Sequence, residues 1–424
     1  MKSKFLLLAC LLITVNSIAQ NTKGLIGSEN WFKNWTNFKP TTTEYKDASL
    51  ILSGNITENT TLTKKTTYRI TGNVYVTNNA ILTIEAGTVL RGDSQTKGAL
   101  IITKGSKIIA EGTETDPIVF TSNKNATERK SGDWGGLVIL GDAPINKYGG
   151  VAVLDLNLDQ KLSVYGGLDE ANDSGILKFV RIEFAGKKIG PGKEFNGLSL
   201  AGVGSNTKID CVQVSFSNDD SFECYGGNVN LKNLLSYKAT DDDFDFTQGT
   251  QAIFTNSIAM RYPYVSDASK SRAIEIESYD RPENMDFTKK MTSITANNIV
   301  LANNEENLEG LVREAIYVAD KSTLIFDNSI ITGFNAAILI AENALNKLKD
   351  IDNISIKDSQ INECTNVVLC DYNSNNIATD YSNSPYFINN QITKIQNIEL
   401  FNDINIKKNP DFRLKTTTNF AFSK

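Results

Sequence analysis

The stretch from Lys208 to Gly249 repeats itself, and its period restricts what the chain can fold into. It reads KIDCVQVSFSNDDSFECYGG, then NVNLKNLLSYKATDDDFDFTQG, and the halves align at an offset of 22 residues. Ile209 matches Leu231, Val212 matches Leu234, Phe222 matches Phe244, Glu223 matches Asp245 and Gly227 matches Gly249. A unit of that size cannot bury its own apolar face, so it must stack on its neighbours as one coil of a solenoid. AIFTNSIAM (Ala252–Met260) carries the same offset again, Leu231 to Ile253 and Asn233 to Thr255. RAIEIES (Arg272–Ser278) follows at a larger offset, which implies about eight residues inserted between Tyr262 and Ser271.

The coil texture is continuous from Thr60 to Leu414. ILTIEAGTVLRGD and ALIITKGSKIIAEGTETDPIVFTS pair short apolar runs across Gly turns, and SITANNIVLANN, STLIFDNSIITGF, AAILIAEN and NISIKDSQI continue the pattern. Short strands ending in Gly, Asn or Asp fit an all-β fold, a single-stranded right-handed parallel β-helix. Asn at the turns tolerates left-handed backbone and can ladder its amides. The acidic stretch Lys147–Gly175 leaves the coils as an insertion, and Asn409–Lys424 reads as a loosely attached tail. In WFKNWTNFKP (Trp31–Pro40), two Trp and two Phe form either a sugar-stacking platform or a plug over the open end of the solenoid. The layout is therefore a signal at 1–19, a polar and aromatic segment and cap at 20–59, the β-helix at 60–414 and a tail at 415–424.

Several classes of function drop out. Histidine is absent, which removes Ser-His-Asp triads, Cys-His pairs and His-ligated zinc. A net charge of -6 is no footprint for nucleic acid. At the start, Lys2 and Lys4, the apolar run Phe5–Val15 and Ser17-Ile18-Ala19 read as a secretory signal too short to span a bilayer. Export to the cell surface, the outer membrane or the medium follows. Leu7-Leu8-Ala9-Cys10 resembles a lipoprotein box, but apolar residues still follow Cys10. No other segment is suited to cross a membrane. Export permits disulfides among Cys211, Cys224, Cys364 and Cys370. Cys211 and Cys224 read as small core residues, and Cys364 with Cys370 is the pair if any forms.

The blocks ILTIEAGTVLRGD, GDWGGLVILGDAPIN, LKFVRIEFAG, NGLSLAGVGSNTKIDCVQVSFSNDDSFECYGG and ATDDDFDF resemble a family of exported right-handed β-helix proteins common in Bacteroidota. The likeness spans residues 53–340 and implies a pectate-lyase-like solenoid and export, but no activity. The Trp-rich block departs from it, since in such proteins a similar block lies near the C-terminal end.

Alternation along the central strands singles out one face. Phe222, Cys224, Phe244, Phe246, Ile274 and Ile276 point inward, leaving Glu223, Asp245 and Glu275 outward in one column. Asp243 and Glu277 flank that column, and Asp219, Asp220, Asp241 and Asp242 lie in the turns leading into it. Like charges at coil spacing repel by roughly 3 kcal/mol at an effective dielectric near 20. A cation, bound protons, or the nearby Lys238, Lys270 and Arg272 must relieve them. Oxygen-only ligands suit calcium, with Asp219, Asp220, Asp241, Asp242 and Glu277 as candidate ligands and Glu223, Asp243, Asp245 and Glu275 as binding residues.

Three functions stay open. The acidic face reads as a binding surface for polysaccharide or another surface ligand. It also resembles the arrangement of calcium-dependent polysaccharide lyases on the same fold, with Arg272 or Lys238 as catalytic base. Third, the acids can be structural, in an adhesive scaffold. Asn218-Asp219-Asp220 faintly resembles the glycosidase β-helices, but the His-Gly and Arg-x-Lys motifs of those enzymes are missing. GVGSNTKID opens no helix and is a poor phosphate loop, while GKKIGPGKE is a basic loop that could meet an anionic polymer.

Overall fold

A computed structural model describes residues 23–415, apart from residues 97, 268–269, 280, 304–309, 342–343, 345–352, 371–378 and 380. The signal at 1–19 with its Cys10, and residues 416–424, lie outside the described residues. The chain winds as a parallel β-helix whose strands stack in register on three faces. One face carries Ile81–Ile84, Lys107–Glu111, Gln251–Thr255, Ser293–Asn297 and Thr323–Asp327. A second carries Val89–Gly92, Ile118–Ser122, Ile258–Arg261 and Val300–Asn303. The third carries Gly136–Leu140, Leu198–Val203, the start of Phe222–Tyr237, Phe244–Thr247, Ile274–Ile276 and Glu314–Val318. Pairing begins with Leu50–Ile56 on Thr67–Val76, ahead of Thr60.

Inside, the apolar residues of successive coils pile up. Phe222, Cys224, Phe244, Phe246, Ile274 and Ile276 are all buried, and the Phe222 and Phe244 rings stack at 5.1 Å. The corner between the first two faces takes a left-handed residue in coil after coil: Asn233 at φ 53°, Asn256 at 49°, Asn298 at 59° and Asn328 at 49°. Asn tolerates this geometry better than most L residues. The amides also ladder, Asn256 Nδ2 donating to Asn233 Oδ1 at 2.6 Å and Asn233 Nδ2 to Asp210 Oδ1 at 2.6 Å.

The alignment of the third repeat needs one correction. Leu231 stacks on Phe254 and Asn230 on Ile253, so the offset there is one residue longer. A slip of one residue exchanges the two faces of a strand. Ile253 accordingly points to solvent, 55% exposed, and Phe254 fills the core.

The aromatic segment does not plug an end. Residues 23–47 run along the outside of the second face, against the order of the coils. Gly24 N–H donates to Asn328 O at 2.7 Å and Ile26 N–H to Asn256 Oδ1 at 2.9 Å. Asn37 exchanges two 2.8 Å bonds with Gln213, Arg129 donates to Thr43 O at 2.7 Å and Arg91 to Lys46 O at 3.0 Å. Phe32 and Phe38 pack on Leu235, Tyr237, Ile258 and Val300, apolar residues on the outer side of that sheet. Burying them supplies roughly 25 cal/mol per Å² of apolar surface, which an end plug over fewer coils would not collect.

The tail is not loose as far as it is described. Asp411–Leu414 pairs with Phe401–Asp403, and Phe412 is buried beside Phe32, with ring centroids 6.4 Å apart. None of the four described cysteines is in a disulfide. Cys211 and Cys224 are buried, as core residues should be. Cys364 and Cys370 flank the strand Asn366–Cys370, whose extended rise of about 3.3 Å per residue carries them beyond bridging range. The basic loop is a hairpin in which Lys188 pairs with Glu194 and Lys193 with Asp155, each at 2.5 Å.

The insertion covers part of the third face. Leu154, Leu156 and Tyr165 close over Tyr75, Val138, Leu140, Ala201 and Tyr225. It also reaches later coils, Tyr165 Oη donating to Gln248 Oε1 at 2.7 Å and Lys147 bridging Met285.

Phe244→Ala should cost about 3–5 kcal/mol by opening a core cavity. Urea denaturation checks this, and a loss below about 1 kcal/mol would reverse the inward assignment.

Candidate functional site

Register alone builds the centre of the site. Ser199 pairs with Glu223, Glu223 with Asp245, Asp245 with Glu275 and Glu275 with Tyr317. Three acids therefore occupy one column on the third face, as alternation and spacing require. All three are half-buried.

The turns before these strands bring in more carboxylates. Asp219, Asp220 and Asp241 offer oxygens within 4.8 Å of one another, and so do Asp220, Glu223 and Asp245. Asp220 belongs to both groups. Its Oδ1 also accepts the backbone N–H of Asp242 at 2.9 Å, which fixes the turn of one coil to the turn of the next. Asn196, buried on the preceding coil, donates through Nδ2 to Glu223 Oε2 and to Tyr225 Oη.

Two expected ligands stand outside these groups. The Asp242 carboxylate accepts the backbone N–H of Arg272. Glu277 lies one alternation beyond Glu275, where its charge reaches Asp245. Glu223 and Asp245, read from sequence as binding residues, belong to the ligand-competent set instead.

Asp243 is not part of the open face at all. It sits at the corner just before Phe244–Thr247, turned inward and fully buried, so strand alternation does not apply to it. There it pairs with Arg261 at 3.1 Å and accepts from Ser236. Arg261 is the residue that sequence reading missed. It too is buried, and it donates to Asp241 O at 2.5 Å and to Arg272 O at 2.9 Å. A lone Arg at a strand end carries no sign of this role, and alternation placed Asp243 outward, so nothing in the sequence pointed to the pair.

Both candidate bases have close partners of their own. Arg272 pairs with Glu275 and lies 4.2 Å from the Tyr317 ring centroid. Burial pulls its pKa down, but Glu275 and Asp242 outweigh that and hold it above the usual arginine range. Lys238 sits at the opposite corner of the turn, over the rings of Tyr262 at 4.1 Å and of Phe216 and Tyr237 at 5.6 Å.

The acids themselves are strained electrostatically. Burial pushes Glu223 up to about 7, although bonds from Tyr225 and Asn196 resist it. Burial, then the charges of Glu223 and Glu275, lifts Asp245 well above the carboxylate range. Asp219 and Asp220 rise for the same reason, with Asp241 and Asp219 as their respective strongest charged neighbours. Asp245 Oδ1 is buried with no hydrogen-bond partner. The acidic groups could hold a metal ion.

Residues 54–421 match the family of pectate-lyase-like β-helix domains. Two solved structures are similar in fold. One is the catalytic domain of a GH87 α-1,3-glucanase in complex with nigerose, at a TM-score of 0.35 and 11% identity over 85% of this chain and 69% of that one. The other is the enzymatically active domain of bacteriophage CBA120 tailspike protein 2, at 0.28 and 12%, over 78% of this chain and 42% of that one. No curated protein matches the sequence. Among the described residues no helix is long and apolar enough to cross a membrane.

The raised acids set the sign of a pH effect. Glu223 binds its proton more tightly folded than unfolded, so its contribution is complete below its ordinary value of 4.5 and is lost as pH rises through about 7. Protein stripped of divalent ions should therefore melt at a lower temperature at pH 7.5 than at pH 5.5. In Glu223→Gln that slope should flatten; an unchanged slope would move the effect to other groups.

Proposed function

The chain belongs to the family of pectate-lyase-like β-helix domains, and from that premise we propose that it is an exported protein that binds polysaccharide at a calcium ion held by the acidic cleft. The observation that carries this reading is the pair of three-carboxylate groups sharing Asp220. The donors are all carboxylate oxygens, the chemistry of a hard cation. Calcium–oxygen distances of about 2.3–2.6 Å allow ligands on one ion to lie as far apart as these oxygens do. The partnerless Asp245 Oδ1 also fits, since a buried acceptor without a donor is satisfied by a cation.

Asp219, Asp220 and Asp241, with Glu223 and Asp245, would hold the ion. When bound, calcium supplies a positive centre for sugar hydroxyl or carboxylate oxygens on a face that otherwise repels anions. The chain's own groups do the rest. Asn196 orients Glu223, and Arg272 pairs with Glu275 beside Asp245. Arg261 holds the backbone at Asp241 and Arg272 from below. Export rests on the signal-like residues 1–19.

Calcium added to chelator-treated protein should raise the melting temperature, by as much as about 2.7 kcal/mol of stability at a hundredfold excess over Kd. Asp220→Asn should lose most of that rise, and Asp245→Ala a large share. A melting curve indifferent to both calcium and chelator would remove the ion. A glycan array probed in calcium and in EDTA tests the other half: signal only in calcium is expected, and a blank array would leave a scaffold.

A further inference from the structure

Beyond the carboxylates, the cleft has a wall made of two segments far apart in sequence. Lys147 of the insertion bridges Met285, Asp286 N–H donates to Asn146 O at 2.8 Å and Asn146 Nδ2 to Ser278 O at 2.7 Å. At the tip of this wall Phe287 is 51% exposed. It is held there, because Asp286 Oδ1 accepts both the N–H of Thr288 at 3.0 Å and its hydroxyl at 2.6 Å. That Asx-type turn carries Phe287 at its centre. Tyr279 meets its ring edge-on, with centroids 6.0 Å apart, and is itself anchored by a hydrogen bond to the buried Asp320. Tyr148, 62% exposed, follows the bridging Lys147 on the same wall. Glu277 joins wall and column, since its charge acts on both Asp245 and Tyr279.

A fixed, solvent-facing aromatic ring costs hydration free energy unless something covers it. We infer that Phe287, backed by Tyr279, is a stacking platform for a neutral pyranose ring of the polysaccharide that meets the acidic column. This rests on the polysaccharide-binding reading above and extends it to the class of sugar. A pyranose has an apolar C–H face to lie on the ring and a hydroxyl edge for the carboxylates. A peptide or lipid surface would need a wider apolar patch and no acids. An acidic sugar at this position would meet the like charges of Glu277 and Asp320, neither of which lies in the ligand groups around Asp220.

Affinity electrophoresis of the full chain in calcium, through gels of laminarin, dextran, xylan or polygalacturonate, tests this. Retardation by a neutral polymer is expected, weakened about tenfold or more in Phe287→Ala and restored in Phe287→Trp, with equal melting temperatures. Phe287→Ala binding as tightly as the parent, while Asp245→Ala fails to bind, would overturn the platform and leave the acidic site standing. Retardation by polygalacturonate alone would overturn the neutral class. No retardation by any of the four would overturn both readings together.

Discussion

In-register parallel pairing is the constraint on which everything else in this molecule depends. Each coil hydrogen-bonds to the next through backbone groups that must find partners once buried. Because the side-chain period of a strand is two, register decides at a stroke which residues enter the core and which share an outward column. Phe222, Phe244 and Ile274 stack inward by the same rule that piles Glu223, Asp245 and Glu275 outward. The fold cannot separate those acids without breaking its own ladder. Repulsion between them is a consequence of the architecture, and it has to be met by protons or by a cation.

What surrounds the column decides how severe that repulsion becomes. On an open sheet, water would screen the acids and leave them ordinary. Here one flank of the solenoid is covered by the strap of residues 23–47, and part of the acidic face by the insertion. The column lies beside that cover, its carboxyls half-buried and those of Glu223 and Asp245 pushed upward. The buried pair of Asp243 and Arg261 adds rigidity below, tying the turn of one coil to the loop before the next. A buried ion pair is a poor source of net stability. Its use here is geometric, since Arg261 sets the backbone that carries Asp241, Asp242 and Arg272.

Arg272 is paired with Glu275, and Lys238 lies over the Tyr262 ring. The carboxylates, by contrast, are poised to accept a positive ligand. Oxygen donors, desolvation and an acceptor without a partner all point the same way.

The sequence by itself determined the winding and the column. An offset of 22 between Phe222 and Phe244 is at once a sequence spacing and a register, so Glu223, Asp245 and Glu275 could be aligned before any coordinates. Asn at the corners was legible for the same local reason, since left-handed backbone favours that residue. Where a coil gained one residue, as before Phe254, the reading slipped and Ile253 was put on the wrong side. Only the tertiary structure decided that Asp243 turns inward to Arg261, that Trp31–Pro40 lies along a flank, and that residues 285–290 meet the insertion beside the acidic face. Those contacts join positions such as Gly24 and Asn328, with no repeat linking them. Their free energy comes from apolar surfaces and hydrogen-bonding groups that become neighbours only after the coils have stacked.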